Sequence, residues 1–198
     1  MNYGEEITYW YLRLNGFFPI TNFVVHRSQN IQHSSDIDLL AIRTPNVYEE
    51  IGGKPDDWDQ ELAEQIGFQR NLGVICEVKT GGYHLDRLFH EQHIQYSVGR
   101  LGLVPRVDIP HVSNELVQQP LVELPDGNAI FKLFVADRET ATKKFLFRTL
   151  SFIEDFLTNR VRRYPQEKFA DRMFFGSELF QHTIHKVHRE QRKRTVIE

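Results

Sequence analysis

Glu77 and Lys79 lie two residues apart in the run Val74-Ile75-Cys76-Glu77-Val78-Lys79-Thr80-Gly81-Gly82, which is otherwise apolar and ends in a glycine pair. Such a run reads as a buried strand, and residues at i and i+2 of a strand point to one face. A carboxylate and an ammonium therefore emerge side by side from a hydrophobic element, where charge is costly unless it is paired or metal-bound. Upstream, Asp36-Ile37-Asp38-Leu39-Leu40-Ala41-Ile42 reads as a second apolar strand with two acids on one face. If the two strands are neighbours, Asp38 meets Glu77 and Lys79 at one point. That is a donor set for a hard divalent cation such as Mg2+, which takes one or two carboxylates plus waters and phosphate oxygens. Such an ion stabilises charge on a phosphoryl oxygen and acidifies a bound water. A nearby ammonium would orient or help deprotonate that water, or neutralise the charge that develops.

The elements that must position these groups are readable from periodicity and turn chemistry. Residues 4–15 are expected as a helix, 17–28 as a first strand, 29–35 as a polar turn and 36–43 as the Asp38 strand. Residues 44–71 form an insertion rich in acids, Pro and Gly, with a short helix at 58–66; joining the two motif strands, it is expected to cap or line the site. The Glu77 strand at 72–80 is followed by a helix at 84–101 and an irregular stretch at 106–120. Asp126-Gly127 between Leu121–Leu124 and Ala129–Ala136 signals a hairpin. Leu146, Leu150, Ile153 and Leu157 trace one helical face, and Phe169, Met173, Phe180, Ile184 and Val187 a second, possible break at Gly176 included.

These residues resemble the PD-(D/E)xK nucleases, whose core motif is an aspartate on one strand followed by Glu/Asp-x-Lys on the next: here Asp38, then Glu77-Val78-Lys79. The opening Gly4-Glu5-Glu6-Ile7-Thr8-Tyr9-Trp10-Tyr11-Leu12 is similar to the glutamate-bearing first helix of Holliday-junction-resolvase-like relatives, with Glu5 in the functional register and Glu6 as the fallback. Ile37-Asp38-Leu39-Leu40-Ala41 resembles the equivalent strand of Mrr-type enzymes. Lys79-Thr80-Gly81 and Gln92-x-x-x-Tyr96 resemble RecB-type members. The proline that names the motif is absent, so Asp36 and Asp38 both stand as candidate ligands, with Asp38 favoured. The resemblance covers about the first half of the chain. It implies a three-layer, restriction-endonuclease-like α/β core with a mixed central sheet over residues 1–140, followed by C-terminal helices at 141–198 packed on the same domain. It implies Mg2+, replaceable by Mn2+, held by Asp38, Glu77, the Val78 backbone carbonyl and Glu5, with Lys79 at the attacking water. DNA is the implied substrate, with Gln92, Tyr96, Thr80 and Asp36 as further contacts. A catalytically inactive nuclease-like module, or a nuclease subunit of a restriction, defence or transposition complex, is the alternative.

Composition sets the frame. At 198 residues and 40% hydrophobic content, with fifteen Phe, the chain can bury a sizeable core. One Cys excludes an intramolecular disulfide framework and fits a reducing compartment, so a cytoplasmic location is expected. No apolar run is long enough to span a bilayer, and no Walker loop, dinucleotide fingerprint or Ser-His-Asp order is visible, so neither a membrane nor a nucleotide cofactor is expected. Net charge is −3, but residues 48–66 hold seven acids and one base, which leaves +3 on the rest. Lys186, Arg189, Arg192, Lys193 and Arg194 oppose only Glu190 near the end. The clusters His84/His90/His93 and His182/His185/His188 lack zinc-type company and are expected to be mostly solvent-facing or hydrogen-bonded. A homodimer or larger complex is compatible with the sequence, and nothing in it fixes oligomeric state.

Overall fold

The computed structural model describes residues 1–25, 35–140, 142–165 and 178–195. The parts of the expected first strand and turn at 26–34, and Phe169, Met173 and Gly176 of the last apolar stripe, lie outside them, as do the side chains of Phe180, Arg192, Lys193 and Arg194.

A mixed six-stranded sheet forms the middle of a three-layer α/β fold. β1 (Phe18–Val25), β2 (Ser35–Arg43) and β3 (Leu72–Lys79) are antiparallel neighbours. β5 (Ala129–Ala136) lies parallel to β3, and its other edge is shared by β4 (Leu121–Glu123), antiparallel, and β6 (Leu146–Thr149), parallel. Every residue of β5 is buried, and β3 is buried up to Lys79. Strands covered on both faces read as continuous apolar runs, as these do. Each fully buried Leu, Ile or Phe contributes about 1.5–3 kcal/mol.

One face of the sheet carries α1 (Tyr3–Leu14), α2 (Gln60–Ile66), α5 (Leu150–Arg163) and α6 (Glu178–Thr195). They pack on Leu39, Ala41, Leu72, Val74, Cys76 and Val78. The other face carries α3 (Glu91–Leu101) and α4 (Ile109–Gln118) over Leu40, Ile75, Ile130 and Phe134. The side-chain period of two puts Glu77 and Lys79 on this α3 face, in phase with Ile75. α1 starts from Asn2, whose side chain accepts the Glu5 N–H at 3.0 Å while Glu5 Oε2 accepts the Asn2 N–H at 3.0 Å, a reciprocal cap. A β-carbon at Gly4 would stand 2.6 Å from the Thr80 methyl, so glycine is what lets the start of α1 lie directly on the end of β3.

Three sequence expectations are corrected. Residues 109–118 are helical rather than irregular: Pro110 falls in the first turn, where its missing N–H costs nothing. Leu146 belongs to β6, and the helix begins only after Thr149, whose hydroxyl accepts the Phe152 N–H at 3.1 Å. The insertion 44–71 does not line the site. It leaves the far end of β2, and Trp58, Leu62, Ile66 and Phe68 pack under the α1 face, opposite Glu77 and Lys79. Among the described residues, no helix is long and apolar enough to cross a membrane.

Candidate active site

The β2–β3 ladder runs from Arg43–Leu72 to Leu39–Cys76 and stops one pair short of Asp38–Glu77. At that point the Asp38 side chain takes over from the backbone: its Oδ2 accepts the Val78 N–H at 2.7 Å. The same oxygen accepts from Lys79 Nζ at 3.1 Å, and Lys79 Nζ lies 3.2 Å from Glu77 Oε2. Glu77 Oε1 accepts the Phe89 N–H at 3.2 Å. Asp38 Oδ1 accepts from nothing among the described residues. Glu77 is 6% exposed, whereas the Lys79 side chain is 35% exposed and opens the cluster to solvent.

One ammonium faces two carboxylates, and it cannot fully neutralise both. Burial pushes the Glu77 carboxyl above its usual range; Lys79 and the Phe89 N–H pull it back only in part, and the neighbouring Asp38 charge adds to the rise. Burial works against the Lys79 ammonium, but Glu77 and Asp38 outweigh it and hold the amine above its usual range. Lys79 therefore stays charged at neutral pH and acts as a fixed cation.

The structure brings Asp38, Glu77 and Lys79 together, with the Val78 backbone in the same cluster. Glu5 lies on the far side of the sheet with both carboxylate oxygens engaged by Asn2, so its visible work is capping α1. Val78 contributes its N–H to Asp38. Thr80 is exposed just beyond β3. Gln92 and Tyr96 are exposed on α3 and make no hydrogen bond to the three charged residues. Asp36 pairs with Val24 through the backbone, and its side chain lies outside the described residues. His84, His90, His182 and His185 are exposed as expected, while His93 is buried.

Phe89 has no counterpart in the sequence reading. Among the described residues it is the non-glycine one with positive φ, at 53°, a conformation that bulky side chains rarely adopt. Its ring is buried against Phe145, at 5.4 Å between centroids, and the turned backbone aims the amide at Glu77. Nothing in Leu88-Phe89-His90 signals this, because Phe carries no preference for such a backbone.

No family model, no curated protein and no solved structure matches this chain. The chemistry must therefore be argued from the cluster itself. Among the described residues no three His, Cys, Asp or Glu side chains converge, which does not suit a tetrahedral zinc site. Two carboxylates, one with a free oxygen and one buried and under-neutralised, do suit a hard cation that keeps most of its waters.

Proposed function

We propose that the chain is a metal-dependent nuclease that hydrolyses phosphodiester bonds, with DNA as the substrate. The observation that carries this reading is an Asp38 Oδ1 with no partner among the described residues, beside a buried Glu77, both tied to one lysine at the point where two strands separate. An open carboxylate oxygen beside a buried, under-neutralised carboxylate is what a hydrated hard cation takes. The resemblance of Asp38 and Glu77-Val78-Lys79 to the PD-(D/E)xK motif supports the same reading.

In this reading Asp38 and Glu77 hold Mg2+, with Mn2+ able to substitute. The bound ion supplies charge stabilisation at the phosphoryl oxygen and lowers the pKa of water. Lys79 keeps its proton and holds the attacking water or the non-bridging oxygens in place, so it orients rather than deprotonates. The Phe89 amide and the Val78 N–H fix the two carboxylates, which removes their rotamer freedom before substrate arrives. Glu5 is a positioning residue for the start of α1.

The test is single-turnover cleavage of plasmid and single-stranded DNA with Mg2+ or Mn2+. Wild type should cleave, and Asp38→Ala, Glu77→Ala and Lys79→Ala should each lose on the order of a thousandfold in rate. Equal rates for all four proteins would sink the proposal.

A further inference from the structure

Beside the site, on the same face of the sheet, lies a groove of about 680 Å3 lined by Phe23 of β1, by Gln95, Tyr96 and Arg100 of α3, and by Arg106 ahead of α4. None of the described residues lining it is acidic. Arg100 and Arg106 are exposed and have no carboxylate partner among the described residues. Tyr96 is 44% exposed in the same groove, although a ring of that size gains most by burial. Two exposed guanidinium groups and two aromatic rings along one groove are the components of a single-strand binding channel: cations track the backbone and rings stack on bases.

Two of the groove's elements, β1 and α3, also reach the site. Phe23 pairs with Ile37, the residue before Asp38. α3 packs on β2 and starts just after Phe89, which holds Glu77. We propose that this groove binds a single-stranded polynucleotide, with bases stacked on Tyr96 and Phe23 and phosphates paired to Arg100 and Arg106, and that it leads the strand to Asp38, Glu77 and Lys79. The delivery step rests on the nuclease reading of that cluster; the binding step does not. A duplex offers no unstacked bases to these rings, so the substrate class is single-stranded or locally unpaired nucleic acid.

Binding is measured by fluorescence anisotropy with labelled 20-mers of oligo(dT) and oligo(U), in EDTA so that no strand is cut, against a duplex of the same length and a poly-glutamate peptide. The pair of strands separates DNA from RNA as the source of the ligand, and tight binding of either supports the groove. Tyr96→Ala should weaken binding about tenfold while Tyr96→Phe retains it. The double variant Arg100→Ala/Arg106→Ala should weaken it at least tenfold and flatten the dependence of log K on log salt by about 1.4, since each phosphate contact to a single strand contributes about 0.7. Both arginines are exposed, so thermal melting of that variant should match wild type. An affinity for both strands within twofold of wild type in the double variant, or a duplex or poly-glutamate bound as tightly as the strands, overturns the groove. Lys79→Ala separates the two ideas: it should bind the strand and not cut it. Strand binding lost in the arginine variant, with no cleavage by wild type in Mg2+, would retain the groove and remove the nuclease.

Discussion

Two buried charge clusters lie on opposite faces of one sheet, and the protein completes one and leaves the other open. On the α1 face, Asp59 receives Arg148 through two contacts, Nε to Oδ2 at 2.8 Å and Nη2 to Oδ1 at 3.3 Å. It also receives the Tyr11 hydroxyl at 2.5 Å and the Leu62 N–H at 3.0 Å. All of the acceptor sites of that carboxylate are filled, two at each oxygen. On the α3 face, among the described residues, Asp38 has two donors on one oxygen and none on the other, and Glu77 shares the Lys79 ammonium with it. The consequences for protonation are opposite. Burial raises Asp59, but Arg148, Tyr11 and Leu62 more than offset it, so its carboxyl is held below its usual value of 3.8. Glu77 is pushed above its usual value of 4.5. A filled cluster clamps the insertion to α1 and β6; an unfilled one keeps coordination capacity in reserve.

The contrast can be broken most forcefully at the clamp. Arg148→Ala leaves a buried carboxylate without its cation and should cost about 3–5 kcal/mol of unfolding free energy, read by urea denaturation. Its cleavage rate per folded molecule should stay at the wild-type level, and a selective loss of cleavage would erase the distinction between the clusters. At the open cluster the sign reverses. Glu77→Gln removes an under-neutralised buried charge, so it should leave stability unchanged or raise it by about 1 kcal/mol while abolishing cleavage. Mg2+ at about a hundred times its dissociation constant should stabilise wild type by about 2.7 kcal/mol and Glu77→Gln by far less.

Acid sharpens the comparison further. The folded pKa of Asp59 is depressed, so its stabilisation is fully present above the unfolded value of 3.8 and is lost as pH falls through the lower folded value. Asp59→Asn should cost about 2 kcal/mol at pH 7 and should show a shallower fall in melting temperature below pH 4. An unchanged acid profile would remove the clamp from the account. The smallest effect is expected at Glu5. Glu5→Gln keeps half of the reciprocal cap and should cost less than about 1 kcal/mol, with cleavage intact. Lost cleavage with an unchanged melting temperature would return Glu5 to the site.

The sequence carried the two motif strands because burying charge in an apolar run leaves a mark: Asp38, Glu77 and Lys79 were visible as exceptions to their surroundings. The Asp126-Gly127 hairpin was legible for a similar reason, since a turn with positive φ, 83° at Gly127, leaves its own residue signature. What escaped was anything decided by tertiary partners. The insertion looked like a cap because it joins the motif strands, but Trp58, Leu62, Ile66 and Phe68 are a hydrophobic set that belongs to the opposite layer. Arg148, in a four-residue strand inside a stretch with helical spacing, gave no sign that it would reach Asp59. Glu5 stood where a catalytic glutamate would, and the same position three residues after Asn2 is also where a helix cap belongs. Phe89 was silent because a backbone twist imposed by packing has no residue code.

The ladder that ends at Leu39–Cys76 has one more consequence, for the fidelity of assembly. A slip of β2 by one residue would move Asp38 away from Lys79 and seat an apolar residue, Ile37 or Leu39, in its place. The misplaced carboxylate would lose its cation, a penalty of several kcal/mol when it is buried. Mispaired chains are thereby selected against during folding. The charges of the cluster thus also act as the registration mark by which the two strands find their alignment.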